Sequence, residues 1–119
     1  MTRLIEMGVE HYLVSSTLIG VIAQRLVRKI CTNCRESIPV PDELRAEIGN
    51  EAEHIWHGKG CDQCMNTGYR GRVAIFELLI VDDVISNLIG ARASVREIRD
   101  TARKRGMRTL REDGVLKVA

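Results

Sequence analysis

The chain has 119 residues, a length that predicts one domain, or a piece of one, with a modest core. Hydrophobic residues make up 45% of it, which excludes a disordered chain, and aromatic residues only 3%, so the core must be aliphatic. The formal charge of +2 argues against a strongly electropositive nucleic-acid surface. No signal peptide is visible at Met1 and no apolar run is long enough to cross a bilayer, so we expect a soluble, cytoplasmic protein.

The first 30 residues predict two short helices followed by a strand. A helix over 2–7 ends at Gly8, and a second helix over about 10–18 is broken by Gly20. Residues 21–30 are rich in β-branched side chains, which favours a strand, although the periodicity alone also permits a helix.

The middle of the chain predicts a helix between two regions of strand or loop. A proline, two acids and a final glycine mark a helix over about 41–48. Residues 54–60 predict a loop or a short strand, and residues 68–71 a turn. Residues 72–81 are the clearest strand, nearly all apolar as a buried strand is.

The C-terminal third predicts three helices, which makes the fold class α+β. Asp82–Asp83 begin the first of them, which Gly90 ends. The capping box Ser94–Glu97 opens the second, and the capping box Thr109–Glu112 opens a last helix that Gly114 interrupts.

Glu77 and the basic side chains of the C-terminal third have two interpretations each. Glu77, in an apolar strand, predicts a structural ion pair with Arg70 or Arg72, or a contact with a neighbouring domain. The basic C-terminal third predicts a solvated helix face or, as the sharper alternative, a face that contacts a protein or a phosphate. Its basic residues are Arg92, Arg96, Arg99, Arg103, Lys104, Arg105, Arg108 and Arg111.

Four cysteines in two C-x-x-C pairs are the chain's strongest functional signal. The pairs are Cys31–Cys34 and Cys61–Cys64. Two such pairs predict a structural Zn²⁺ held by four thiolates at about 2.3 Å. A closed shell of four thiolates leaves no position for water or substrate, so the metal is expected to have no catalytic role.

Three alternatives to zinc and one alternative ligand set remain open. The pairs could form disulfides, although nothing suggests export, or act as redox pairs, although two symmetric pairs are unusual for that role. Four thiolates also hold iron. His54 and His57 precede the second pair, but the cysteines already fill a four-coordinate shell.

Several segments of the chain, taken in sequence order, resemble one known family. They are Thr2–Glu10, Ser15–Arg28, the two C-x-x-C pairs, Thr67–Arg72, Phe76–Leu79 and Gly106–Gly114. On these segments the chain is similar to the C-terminal part of the type II secretion and type IV pilus assembly ATPases, of the secretion NTPase superfamily.

The resemblance implies a fold and a division of the chain. It implies the C-terminal portion of a RecA-like ATPase domain with an inserted tetracysteine zinc-binding hairpin and C-terminal helices. Residues 1–30 would end the ATPase core, residues 31–71 would form the zinc-binding subdomain, and residues 72–119 the returning strand and helices. The apolar strands of such a portion would expose unpaired edges, so we expect self-association or marginal stability.

The resemblance also implies a role, with partners. The complete protein would be a hexameric motor driven by ATP and Mg²⁺, held at the cytoplasmic face of the bacterial inner membrane through secretion or pilus platform proteins, and no nucleic acid is expected. The family's P-loop, Asp-rich, Walker B and His-containing segments would lie upstream of Met1, so no catalytic residue can be carried over. This chain alone is therefore predicted not to hydrolyse ATP. Arg25 is expected near the nucleotide pocket of the complete protein.

Two other functions compete with this one. A stand-alone zinc ribbon that binds nucleic acid or protein is supported by the cysteines and the basic helices, but the near-neutral charge and few aromatics oppose nucleic acid. A chaperone-like zinc hairpin ranks last, because Asn66 occupies the place of that motif's first glycine.

Overall fold

The computed structural model describes residues 2–50 and 52–118, which form six helices, four strands and one 3-10 turn. This content confirms the α+β class. The helices are α1 Thr2–Glu6, α2 His11–Thr17, α3 Asp42–Ile48, α4 Asp83–Gly90, α5 Val95–Lys104 and α6 Leu110–Val118. The strands are β1 Gly20–Ile30, β2 Arg35–Pro39, β3 His54–Gly58 and β4 Tyr69–Ile80, and the 3-10 turn is Asp62–Cys64. Within these residues, every helix is too short or too polar to span a bilayer.

The strands form two separate pairs. In one, β2 runs antiparallel to β3, with Arg35 opposite Gly58 and Pro39 opposite His54. In the other, β1 lies beside β4. The N–H of Val81 donates to the Ile19 carbonyl and the N–H of Cys31 to the Gly68 carbonyl, each at 3.0 Å, so the start of one strand lies beside the end of the other. Strand β1 therefore leads to the first cysteine pair, and strand β4 leads away from the second.

The chain divides into two compact units. The first comprises the residues up to Ala23 together with Glu77–Thr109, and the second comprises Gln24–Phe76 together with the residues from Leu110 on. The family resemblance predicts another division, by function, with boundaries at residues 30 and 71. That division stays a prediction.

An aliphatic core, as the composition predicted, holds the first unit together. It is formed by five buried residues of α2, α4 and α5, which are Val14, Ile85, Ile89, Ile98 and Ala102. Two predicted caps begin its helices. Asp82 accepts a hydrogen bond from the Ile85 N–H at 3.0 Å, and the Ser94 hydroxyl accepts one from the Glu97 N–H at 3.2 Å. Each cap thereby satisfies one of the backbone donors that have no partner within the helix.

The prediction that residues 72–81 form a buried strand is wrong in two respects. The strand begins earlier, at Tyr69, so Tyr69–Gly71 belong to it and not to a turn. It is also largely exposed: of its residues only Ile75 is buried, while Phe76 is 47% and Ile80 65% exposed. In the described part of the chain β4 belongs to a two-stranded sheet, in which only β1 pairs with it, so no larger sheet buries it there.

Helix α6 packs within the second unit and continues through Gly114, which was predicted to interrupt it. A Cβ on Gly114 would lie 3.8 Å from Cδ1 of Ile75, which is an ordinary contact distance. The neighbouring Asp113 is 8% exposed, and its carboxylate accepts a hydrogen bond from the Phe76 N–H at 2.9 Å. A side chain of α6 thus satisfies a backbone donor of β4.

Replacing Asp113 with alanine will destabilise the chain by about 1–3 kcal/mol, because the Phe76 N–H loses its acceptor in a partly buried place. Asp113→Asn keeps a side-chain oxygen in the same position and will lose less. The measurement is the free energy of unfolding in urea for both variants. Equal losses for alanine and asparagine would show that the hydrogen bond contributes little.

A bidentate ion pair joins α6 to α3. Arg111 donates to the Glu47 carboxylate at 2.7 and 2.6 Å, and this hydrogen bonding lowers the pKa of Glu47 from its ordinary value. A carboxyl whose pKa is lowered by folding stabilises the chain above the unfolded pKa, and this contribution is lost as the pH falls through the folded pKa.

We therefore expect the stability difference between the chain and its Glu47→Gln variant to be constant above about pH 5 and to shrink at more acidic pH. Urea midpoints measured at a series of pH values test this. Glu43→Gln, in the first turn of the same helix, is the matched control and should show a smaller difference. A difference that stays the same down to pH 3 would contradict the account.

Candidate metal centre

The cysteines lie where the two strand pairs meet their connecting loops. Cys31 directly follows β1, and Cys34 directly precedes β2. Cys61 directly precedes the 3-10 turn between β3 and β4, and Cys64 is the last residue of that turn. The N–H of Cys31 bonds to the Gly68 carbonyl, and the N–H of Lys59 to the Cys34 carbonyl at 3.3 Å. These bonds bring two loops, distant in sequence, to one place.

The four sulfurs form a compact cluster. Their Sγ atoms all lie within 4.8 Å of one another. The separations are 3.8 Å for Cys31 and Cys61, 3.8 Å for Cys34 and Cys64, and 3.6 Å for Cys61 and Cys64. A tetrahedron with metal–sulfur bonds of 2.3 Å has edges of about 3.8 Å, whereas a disulfide bond is about 2.05 Å long. The cysteines are unbridged, and their spacing fits a tetrahedral metal ion.

The cluster is shielded from solvent. Cys31, Cys34 and Cys64 are between 1% and 6% exposed, and Cys61 is partly buried. Four thiolate donors are the usual ligand set for Zn²⁺ or iron, and they leave no open coordination position. The arrangement suits a structural metal and offers nothing that binds a substrate.

Backbone N–H groups point at one sulfur in particular. The N–H groups of Cys61 and Gly68 both donate to Sγ of Cys64 at 3.2 Å. Burial acts to raise the pKa of the Cys64 thiol, but these two donors and the neighbouring thiols bring it down to about 6. The surroundings of Cys64 therefore favour its thiolate form.

The pKa values of Cys61 and Cys34 are shifted in opposite directions. A hydrogen bond from the Asn33 side chain is the largest cause that lowers the pKa of Cys61. Burial raises the pKa of Cys34 to about 12. Metal binding at this set of ligands must release protons, and metal affinity will fall as the pH falls.

A close crossing of two glycines supports the cluster. Gly58, at the end of β3, lies against the backbone of Gly68, and a Cβ on either residue would overlap the other's carbonyl group. Gly68 also has a φ of 79°, a backbone conformation that favours glycine. The same Gly68 accepts from Cys31 and donates to Cys64, so the crossing fixes both cysteine pairs.

The remaining predicted site residues lie elsewhere. In the described part of the chain, the four cysteines are the one close group of such ligands, so His54 and His57, exposed on β3, are not part of it. Arg25 is exposed on β1 and its guanidinium donates to the Gln24 carbonyl at 3.2 Å. Its position near a nucleotide stays a prediction. Arg70 bonds to Gln63 at 3.1 Å.

Sequence reasoning missed the backbone supports of the cluster. Neither the Gly68 N–H nor the Asn33 side chain was predicted to act on a thiol. Thr67, whose hydroxyl donates to the Cys64 carbonyl at 2.7 Å, precedes Gly68 and follows the second pair closely. A threonine and a glycine so soon after a C-x-x-C pair were the available signal.

Comparison with known proteins places the chain among secretion proteins. The family model of the type II/IV secretion system proteins matches residues 1–119. The chain is 50% identical to the type IV pilus assembly ATPase PilB of Thermus thermophilus, with 98% of the chain and 14% of that protein covered. It is 42% identical to the type II secretion system protein HxcR of Pseudomonas aeruginosa, with 95% and 21% covered.

A third relative is of the same kind. The type II secretion system protein E of Aeromonas hydrophila is 40% identical, with 98% of the chain and 24% of that protein covered. The chain thus spans less than a quarter of the length of each of these relatives.

Proposed function

The chain belongs to the type II/IV secretion system protein family, and from this premise we propose that it is the metal-bearing C-terminal region of an ATPase that powers type II secretion or type IV pilus assembly. The observation that carries the proposal is the family match over the whole chain, with relatives named as pilus assembly and secretion ATPases. The complete protein would act as a hexamer, bind ATP and Mg²⁺, and lie at the cytoplasmic face of the inner membrane through platform proteins.

The metal in this proposal is a structural Zn²⁺ held by Cys31, Cys34, Cys61 and Cys64. Zinc supplies a cross-link between the two cysteine pairs and no catalytic chemistry. The strands around the metal form the rest of the projection: β1 and β4 lead to the cluster, and the β2–β3 pair extends from it. The result is a stiff projection suited to contact with a platform protein.

The projection carries an aromatic side chain that supports such a contact. Trp56 on β3 is exposed, and the Arg35 guanidinium lies 4.4 Å from the centre of its ring. Exposed tryptophan and arginine are the side chains most enriched at the centres of protein interfaces.

The larger sheet of a RecA-like domain is proposed for the complete protein. Support comes from the first unit, where Ile22, Leu78 and Ile80 are large apolar side chains left exposed on the two strands. Further strands or helices of the complete protein would bury them. Arg25 would lie near the nucleotide, and the boundaries near residues 30 and 71 would separate the ATPase core, the zinc subdomain and the returning strand.

A chimera tests this proposal. In it, residues 1–119 replace the matched segment of the Thermus thermophilus relative, which is 50% identical. We expect the chimera to retain Mg-ATP hydrolysis and pilus assembly, while the isolated 119-residue chain has neither hydrolysis nor tight ATP binding. Metal-dependent ATP hydrolysis by the isolated chain, or an inactive but folded chimera, would contradict the proposal.

A zinc ribbon that binds nucleic acid is the second candidate, and one observation favours it. The part of the β1–β4 pair in the second unit carries basic side chains and no acid, with Arg28 stacked 4.0 Å from the centre of the Tyr69 ring. These basic residues are Arg25, Arg28, Lys29, Arg70 and Arg72. Salt-dependent binding of DNA or RNA would support this candidate, and no binding at high protein concentration would remove it.

A further inference from the structure

A groove in the first unit lies between the strand pair and helix α5. Its volume is about 140 Å³. Its apolar walls are Val21, Ala23 and Leu79 on the strands, with Val95, Ile98 and Met107 on and after α5. Two charged side chains, Glu77 and Arg99, complete the lining.

The size of the groove indicates what it can hold. Small-molecule sites usually enclose about 300–1,000 Å³, whereas a cavity of about 150 Å³ accommodates a single benzene ring. The groove therefore fits one or two aliphatic side chains. Val95 at its mouth is 61% exposed, so the apolar lining continues onto the surface. Both features favour a polypeptide that inserts anchor side chains.

One arginine of α5, Arg99, lines the groove. Arg96 and Arg103 precede and follow it at helical spacing. Among the described residues no carboxylate lies within ion-pair distance of Arg99, and Arg96 reaches Asp100 only at 4.0 Å.

The charge along helix α5 is predominantly positive. Residues Val95–Lys104 hold four basic side chains against two acidic ones. Glu77, the acid in the lining, already has an interaction partner within the chain. The border along α5 is thus complementary to acidic side chains.

We propose that this groove docks an acidic amphipathic helix of a partner protein. Aliphatic side chains on one face of that helix enter the space between the strand pair and α5, and carboxylates beside them pair with Arg99 and Arg96. Such a helix in a groove combines apolar anchors with a charged border. The docking goes beyond the proposed motor role and does not depend on the metal, because no cysteine lines the groove.

The chemistry of the groove favours an acidic helix over an occupant that carries phosphate groups. A nucleic acid would use the arginines but would leave the six apolar lining residues without a partner. An acidic amphipathic helix would use both the apolar lining, through its aliphatic side chains, and the arginines, through its carboxylates.

Two synthetic helical peptides test the proposal on the metal-loaded 119-residue chain. Both have leucines at helical spacing, and they differ in having glutamates or lysines beside the leucines. We expect the glutamate peptide to bind at least about tenfold more tightly in fluorescence anisotropy, with an affinity that falls as salt rises. We also expect amide NMR shifts at Val95 and Arg99.

Matched variants locate the binding. Arg99→Glu should weaken the glutamate peptide at least about tenfold, whereas Lys104→Glu, on the far side of α5, should change it less than about twofold. Circular dichroism checks that both variants keep their helices. Equal binding of the two peptides, equal effects of the two variants, or a second copy of the chain in the groove would each overturn the proposal.

Discussion

Replacing Cys64 with serine will abolish metal binding and unfold the loops around residues 31–34 and 60–68. Cys64 is buried, lies 3.6 and 3.8 Å from two other sulfurs, and receives two backbone N–H bonds. Metal binding at structural four-ligand sites contributes on the order of 10 kcal/mol to folding, so the loss of one ligand exceeds ordinary single-residue effects. We expect less than about 0.1 metal ion per chain after gel filtration.

Hydrogen exchange measures the structural consequence of this substitution. The N–H of Cys31, bonded to Gly68, should exchange rapidly in the variant. The core of Val14, Ile85 and Ile98 lies in the other unit, so its amides should stay protected. Asp62→Asn, inside the second pair but exposed, is the control and should keep its metal. A Cys64→Ser variant with full metal content and slow exchange at Cys31 would contradict the assigned ligand set.

Replacing Gly58 with alanine will destabilise the second unit by about 3 kcal/mol or more, the second-largest effect we expect. The new Cβ would overlap the backbone of Gly68, and backbone atoms cannot turn away as a flexible side chain can. Because Gly68 bonds to both Cys31 and Cys64, the displacement will also lower the metal affinity. Urea unfolding and competition with a chelator measure the two effects.

Gly114→Ala is the matched control for this substitution. Gly114 belongs to the same unit, has no positive φ, and would place its Cβ at an ordinary 3.8 Å from Ile75. In the helix α6 this change should be neutral or stabilising by roughly 0.5–1 kcal/mol. If Gly58→Ala proved as harmless as Gly114→Ala, the close crossing of β3 and Gly68 would be wrong.

The cysteine cluster was predictable because each C-x-x-C pair can be recognised from a short segment of the sequence. A C-x-x-C pair presents two sulfurs from one turn, and two such pairs in a short chain point to one four-ligand site. Residues 41–48 and the caps Asp82 and Ser94 were also predictable, since proline, acid and hydroxyl side chains act on neighbouring backbone groups.

Features that depend on distant contacts could not be predicted in this way. Strand β2 reads Arg-Glu-Ser-Ile-Pro, which has no apolar alternation, and it forms because β3 pairs with it. The contact of Gly58 with Gly68 likewise depends on how β3 crosses the loop after the second pair.

Burial was the weakest part of the prediction. The apolar run in β4 indicates that something can cover the strand, but composition does not say whether the covering residues are in the chain. Conversely, nothing in the sequence indicates that the acidic Asp113 is buried, yet it is, and it accepts a hydrogen bond from the Phe76 N–H. In both cases the polarity of a side chain indicates only a preference, and the fold decides its surroundings.

The metal content of the purified, reduced 119-residue chain tests the central claim most directly. Elemental analysis combined with a thiol assay should find one Zn²⁺ per chain and four thiols that react only after a chelator removes the metal. The chelator should also unfold the region from Cys31 to Gly68. A chain that is metal-free, fully folded and has its cysteines oxidised or freely reactive would contradict the account.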